Sequence, residues 1–307
     1  MNNATIWPNT SLILRKYDFN INFIYYNDSV IEELVHSLSH FSNHFHQFSF
    51  EFTKYNDLNL TNISPKAILI YLETDLQSYF NIFQNLDASI SECKIISNHI
   101  DSDFFNLLPS SDFIGFQRHL VDQSILFKLE ESSFGSKSLG LIKKNISVLE
   151  PILRTTFGCH LELDAIKKSD INHNDCLPTG LTSEELSQIF RFLGSSYNLK
   201  IVSLNIQKKH MQNKNISQLI STCIWYLLEG LAFRVFENDM TSTQFQDFVV
   251  NIKDIDDEIV FSLNTDDGKW WVKLNSENSN LYPCSQEDYD LAAKGFISDN
   301  LMKRLFY

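Results

Sequence analysis

The chain is 307 residues long and carries 25 Lys and Arg against 38 Asp and Glu, a formal charge of −13, with 43% hydrophobic residues. That is the composition of an ordinary globular protein, with apolar content for a large core and length for one large α/β domain or two smaller ones. The acid excess argues against nucleic acid or an anionic membrane as partner, because both require a basic footprint.

The first segments with strand character are Ser11–Leu14 and Asn20–Tyr26. No basic stretch followed by an apolar run precedes them, so export is not expected. Ser29–Phe48 reads as an amphipathic helix: at about 100° per residue, Leu34, Leu38, Phe41 and Phe45 fall within roughly 60° of one another. His36, His40 and His44 gather on the opposite side. Imidazoles at this spacing suit edge-on metal binding, but no carboxylate joins them, and the stripe is read as a solvated face.

From Lys66 onward strands alternate with helices. Ala67–Leu72 is a continuous apolar run, the mark of a strand covered on both faces. Asp75–Leu86 follows with helical periodicity, and Cys93–Ser97, Phe113–Phe116 and His160–Leu163 are further short strands. Thr182-Ser183-Glu184-Glu185 is a capping box opening a helix over Glu184–Leu193 that Gly194 closes. Leu199–Ile206 is the next strand, and Ser217–Phe236 a long helix interrupted at Gly230. Such alternation predicts parallel strands with helices on both faces, joined by right-handed crossovers.

Beyond Glu237 the pattern changes. Glu258–Leu263 and Lys269–Leu274 alternate around a turn at residues 264–268, which predicts a β-hairpin, and Ser285 to Asp288 caps a last helix ending near Lys294. With no Pro, Gly or Ser-rich linker before it, this tail reads as an appendage rather than a second domain. Trp270 and Trp271 are either an exposed platform, for a sugar or a docking partner, or a packing pair that holds the hairpin on the main body.

Common chemical signatures are missing. Gly135 to Gly140 has the outer spacing of a phosphate loop, yet Leu141-Ile142 stands where Lys and Ser or Thr are needed. There is no H-E-x-x-H, G-x-S-x-G or G-x-G-x-x-G, and nine glycines are about 3% of the chain against a usual ~7%. The five cysteines are widely spaced with no C-x-x-C, which fits a reducing cytoplasm better than a zinc site or disulfide framework. Apolar stretches such as Ile63–Leu72 are broken well short of the roughly 20 residues that span a bilayer.

From roughly Asp112 onward the sequence resembles the arginase/ureohydrolase superfamily, in particular a divergent bacterial formimidoylglutamase-like branch. The residues that carry the resemblance are Ile114-Gly-Phe-Gln117, Glu150-Pro-Ile-Leu-Arg154, Leu161 to Asp170, Pro178-Thr-Gly180, Glu184-Glu185, Gln188-Ile189, Arg191-Phe192 and Ile224 to Gly230. Glu258 to Phe261, Trp270-Trp271, Pro283-Cys-Ser285 and Glu287-Asp-Tyr289 continue it, whereas residues 1–110 carry little of it. The resemblance implies a three-layer α/β/α fold over 1–307 around a mostly parallel eight-stranded sheet, with residues 237–307 as a C-terminal hairpin-and-helix appendage. It also implies two Mn²⁺ at the carboxyl ends of the strands, activating water for attack on a guanidino or formimino carbon.

The family's ligands are a His after one strand, a D-x-H-x-D set after the next and a D-x-D set after a third. Here the last reads His160-Leu161-Glu162-Leu163-Asp164, keeping two carboxylates. The stretch expected to hold D-x-H-x-D reads Phe134-Gly-Ser-Lys137-Ser138 and has no ligand, and the His nearest the first-ligand strand is His119. A strand-end Glu of the family is Gln207 here, followed by Lys208 and Lys209. Glu162, Asp164 and His119 are thus the remnants of a metal site, and no catalytic or substrate-binding residue is assigned. Glu162 and Asp164 could instead cap the next helix or pair with Lys167 or Lys168.

The expectation is a cytoplasmic pseudoenzyme of the arginase fold, with no cofactor, acting as a binding or assembly module open to self-association, its protein partner unknown. The alternative is an active Mn²⁺-dependent hydrolase of a linear amidine of the formimidoylglutamate, agmatine or arginine type. A third reading places a docked partner on the Trp270–Trp271 hairpin.

Overall fold

The computed structural model describes residues 20–42, 48–58, 67–85, 93–100, 102–107, 111–132, 135–174, 176–232, 234, 245–252, 258–265, 267–274, 281–298, 301–302 and 305. The expected strand Ser11–Leu14 lies outside them, as do His44 and Phe45. In chain order the first elements are β1 (Asn20–Tyr25), α1 (Asp28–Ser39), β2 (Ser49–Lys54), β3 (Ala67–Leu72), α2 (Leu76–Asn85), β4 (Cys93–Ile96), α3 (Ser102–Leu107) and β5 (Asp112–Ile114). Then come α4 (Gln123–Ser132), α5 (Leu139–Lys144), α6 (Glu150–Leu153), β6 (Gly158–Glu162), α7 (Lys168–Ile171), α8 (Ser183–Gly194), β7 (Ile201–Asn205), α9 (Lys208–Met211) and α10 (Lys214–Ala232). The last are β8 (Phe245–Val250), β9 (Ile259–Asn264), β10 (Trp270–Leu274), β11 (Tyr282–Cys284) and α11 (Gln286–Ala292).

Seven strands form one sheet in the order β2-β1-β3-β7-β6-β4-β5, with every pairing parallel. Side-chain alternation feeds two cores. Ile68, Ile70 and Leu72 of β3 and Cys159 and Leu161 of β6 meet α1, α5, α8 and α10 on one face. Leu69 and Tyr71 of β3 and Ile95 of β4 meet α2, α3 and α4 on the other. This is the expected three-layer arrangement, and β3 is buried at all six positions, as its unbroken apolar run requires. All five cysteines are buried and none is in a disulfide, and burial raises the Cys93 thiol to about 11.

Among the described residues the parallel sheet has no eighth strand, and beside β5 there is a single parallel bridge between Ile114 and Lys137. Lys137 N donates to Phe113 O at 2.8 Å and Gly115 N to Lys137 O at 2.9 Å, and the ladder goes little further. The segment there is Gly135-Ser136-Lys137-Ser138, which lacks the branched and aromatic side chains that make a pleated surface worth burying.

Other expectations change in detail. The first helix stops at Ser39 rather than Phe48, because Phe48, Phe50 and Phe52 alternate with polar residues and Ser49–Lys54 pairs as β2 beside β1, where Phe50 and Phe52 stack on Phe23. Gly230 does not interrupt α10. A Cβ there would lie 2.2 Å from Arg191 O, and one on Gly194 would lie 2.1 Å from Leu227 O, so the two glycines bring the backbones of α8 and α10 together. The capping box is as expected: Glu185 N donates to Thr182 Oγ1 at 3.3 Å and Thr182 N to Glu185 Oε2 at 2.8 Å.

The predicted hairpin is the centre of a four-stranded antiparallel sheet, ordered β11-β10-β9-β8. Trp270 and Trp271 alternate across it. Trp270 stacks on Tyr289 of α11, with centroids 4.6 Å apart, while Trp271 faces Tyr197 and the Arg154 guanidinium, the latter 4.8 Å from its ring. Both are buried, at 8% and 3% exposure, which overturns the exposed platform. Arg154, itself 2% exposed, secures the junction: Nε donates to Glu150 Oε1 at 3.0 Å, Nη2 to Glu150 Oε2, and Nη1 to Trp270 O at 2.6 Å. Since α6 leads into the start of β6, this seam lies at the amino end of the parallel sheet.

Candidate functional site

The opposite, carboxyl end of the sheet is where the expected site residues fall. In a parallel sheet ligands bind in the crevice where adjacent strands send their outgoing loops to opposite faces. Strands β6 and β4 are such a pair, since β6 leads to α7 and α8 on one face and β4 to α3 on the other.

The strand register explains Glu162. His160 and Glu162 lie opposite Ser203 and Asn205 of β7, so two polar cross-strand pairs stack on the face covered by α2. His160 Nδ1 is 2.9 Å from Ser203 Oγ and its Nε2 is 2.9 Å from Glu162 Oε1, and Asn205 Nδ2 donates to Glu162 Oε2 at 2.7 Å. The imidazole is fully buried and stacks on Tyr79, with centroids 5.2 Å apart. The line Ser203–His160–Glu162 has the order of a nucleophile, base and orienting acid. Ser203 is also fully buried, however, so no substrate reaches it and the line is a structural network.

Asp164 is directed elsewhere. β6 ends at Glu162, and the 3₁₀ turn Leu163–Ala165 breaks the alternation that would aim both carboxylates alike. Asp164 Oδ2 lies 2.8 Å from His99 Nδ1, Oδ1 accepts from Ser97 Oγ and Asn98 N, each at 3.4 Å, and the Asp164 carbonyl accepts from Asn98 Nδ2 at 2.9 Å. Glu162 and Asp164 therefore share no partner, and they engage imidazoles and amides rather than Lys167 or Lys168.

His119 is exposed on the turn Arg118–Leu120 after β5, and β4 intervenes between β5 and β6. It is not the imidazole at this site; His99, just past the strand that adjoins β6, is. The signal for it was a Ser-Asn-His run directly after the short strand Cys93–Ile96. Lys137 is buried in the bridge beside β5, and Gln207, Lys208 and Lys209 are exposed at the start of α9. Two motif segments do meet: Thr179 Oγ1 donates to Gln117 Oε1 at 2.7 Å and Gln117 Nε2 to Thr179 O at 3.2 Å. Close by, a Cβ on Gly180 would lie 2.6 Å from Lys167 N, so a larger residue there would force the loop apart.

Among the described residues no three His, Cys, Asp or Glu side chains are placed to share one ion. No family model matches the sequence, and no curated protein does. Solved structures match the fold. The formimidoylglutamase of Bacillus subtilis is 12% identical with a TM-score of 0.57 over 72% of this chain and 89% of its own. The chain has an arginase-like fold. The formiminoglutamase of Trypanosoma cruzi with Mn²⁺ is 11% identical with a TM-score of 0.55, over 71% of this chain and 94% of its own. An arginase superfamily protein from the same organism gives 11% and 0.54 over 71% and 94%. Within this arginase-like fold the antiparallel C-terminal sheet is a separate layer. Among the described residues no helix is long and apolar enough to cross a membrane.

Proposed function

We propose that this chain is an arginase-fold protein that works without a dimanganese centre, as a non-catalytic binding or assembly module. The observation that carries this reading is the divergence of Glu162 and Asp164. Each spends both oxygens on its own chain, one towards β7 and the other towards β4. Two divalent cations in one cleft require several anionic donors converging on them. The crevice offers two carboxylates aimed apart and two imidazoles, His160 and His99, each already held by one of them, and this donor set does not fit the pair of ions. Five cysteines without a disulfide fit a reducing compartment, and the cytoplasm is the location this reading carries.

The test is metal content after expression in Mn²⁺-supplemented medium. Well under one equivalent is expected, with a melting temperature that neither Mn²⁺ nor a chelator moves. The second reading, an active C–N hydrolase of a linear amidine, draws on His99 and Asp164, an imidazole and a carboxylate on adjacent strand ends. Stoichiometric Mn²⁺ together with hydrolysis of formimidoylglutamate, agmatine or arginine would establish it and overturn the first.

A further inference from the structure

An open sheet edge invites pairing with another chain, and proteins blunt edges with charge, proline, brevity or cover. Three of the four edges here are blunted. β2 carries Glu51, which accepts from Asn20 Nδ2 at 2.7 Å, and Lys54, paired with Asp28 at 2.8 Å. β5 has three residues and is continued by the Lys137 bridge. β11 also has three residues, includes Pro283, and gives its Cys284 carbonyl to Arg154 at 3.4 Å. β8 differs. It is Phe-Gln-Asp-Phe-Val-Val, six residues without Lys, Pro or Gly, and among the described residues no strand lies beyond it. Its one charge, Asp247, is turned into its own sheet, where Ser262 Oγ donates to it at 2.6 Å. Val249 is 57% exposed although its neighbour across the ladder, Val260, is buried.

We propose that β8 is a self-association edge that pairs antiparallel with β8 of a second copy of this chain, joining the two C-terminal sheets into one. The occupant follows from symmetry and charge. The sheet is already antiparallel, and a two-fold axis perpendicular to it generates an antiparallel copy of its edge strand with like faces aligned. Such an axis passes through a residue. Centred on Asp247 it would set two carboxylates opposite one another, which is unfavourable. Centred on Phe248 it sets Phe248 against Phe248, Asp247 against Val249 and Gln246 against Val250, and it covers the exposed valine. A ladder this short sits below the roughly 1,200 Å² of standard interfaces, so the dimer dissociates on dilution. With −13 on each copy, screening by salt strengthens it. The proposal does not depend on what the strand-end crevice binds.

The experiment is sedimentation equilibrium of the full chain over a range of protein and salt concentrations. A reversible monomer–dimer equilibrium that tightens with salt is expected. Val249→Asp should weaken association by about tenfold or more, because it sets a second carboxylate opposite Asp247 of the other copy, while Val249→Thr keeps it within about twofold. Because Val249 is exposed, both variants should keep the parent melting temperature. Hydrogen exchange of the unaltered chain gives a readout without mutation: protection on concentrating the protein should rise across residues 246–250 in particular. A monomer under all conditions, a dimer that Val249→Asp leaves intact, or unchanged protection in β8 would each overturn the proposal.

Discussion

The two ends of the parallel sheet spend buried charge differently. At the amino end Arg154 is dry and saturated, donating to Glu150, Trp270 and Cys284 and covered by Trp271. At the carboxyl end the polar groups form two separate networks, one buried around His160 and one half-exposed around Asp164. A guanidinium with several donors joins layers that are distant in sequence. A carboxylate with two acceptor oxygens can tie only its nearest strands. The first arrangement makes a single body of two sheets, whereas the second leaves each strand end locally stitched.

That contrast orders the mutational effects. Arg154→Met should cost the most, about 3–5 kcal/mol, because it strands Glu150 and two carbonyls at the seam. Denaturant unfolding followed by tryptophan fluorescence checks this, and the signal from Trp270 and Trp271 should change before far-UV dichroism of the helices does. His160→Ala at the other end should cost less, about 1–3 kcal/mol, from Ser203 and Glu162 left without their shared partner. If the His160 variant proved the weaker of the two, the seam would not be the principal fastening and the comparison would fail.

The smallest effect concerns Asp170, whose Oδ2 accepts from Ser183 N at 2.7 Å and Ser183 Oγ at 3.1 Å at the start of α8. Burial opposes its ionisation, but the Ser183 and Ser169 bonds and Lys167 outweigh it and hold the carboxyl below its ordinary 3.8. A depressed folded value means that the stabilisation is complete above the ordinary value and is lost as pH falls through the folded one. Asp170→Ala should therefore be less stable than the parent by about 0.5–1 kcal/mol near neutral pH. The gap should close in acid below 3.8, as paired unfolding curves across that range would reveal.

Much of the layered fold was legible because its signals are local. The unbroken run Ala67–Leu72 announced a doubly covered strand, and the Thr182 and Ser285 caps fixed two helix starts. What was not legible depends on pairing. β2 and β8 are edge strands whose half-exposed alternation becomes a strand only beside a neighbour, and Gly230 read as a break until Gly194 was found against it. The site was read in part. Glu162 ends β6 and Asp164 follows it, but a 3₁₀ turn parts them. The imidazole beside Asp164 is His99, whose nearness comes from β4 lying next to β6, a fact of sheet order that spacing along the chain does not encode.

The enclosure of Cys93, Cys159, Cys176, Cys223 and Cys284 has a consequence of its own. With every sulfur walled off and three of the thiols held further from ionising than in water, oxidants and alkylators have no foothold on the folded molecule. Its resistance to such reagents is then set by how often it opens, and with Cys284 in the antiparallel sheet and the other four in the parallel-sheet body each region can report its own opening.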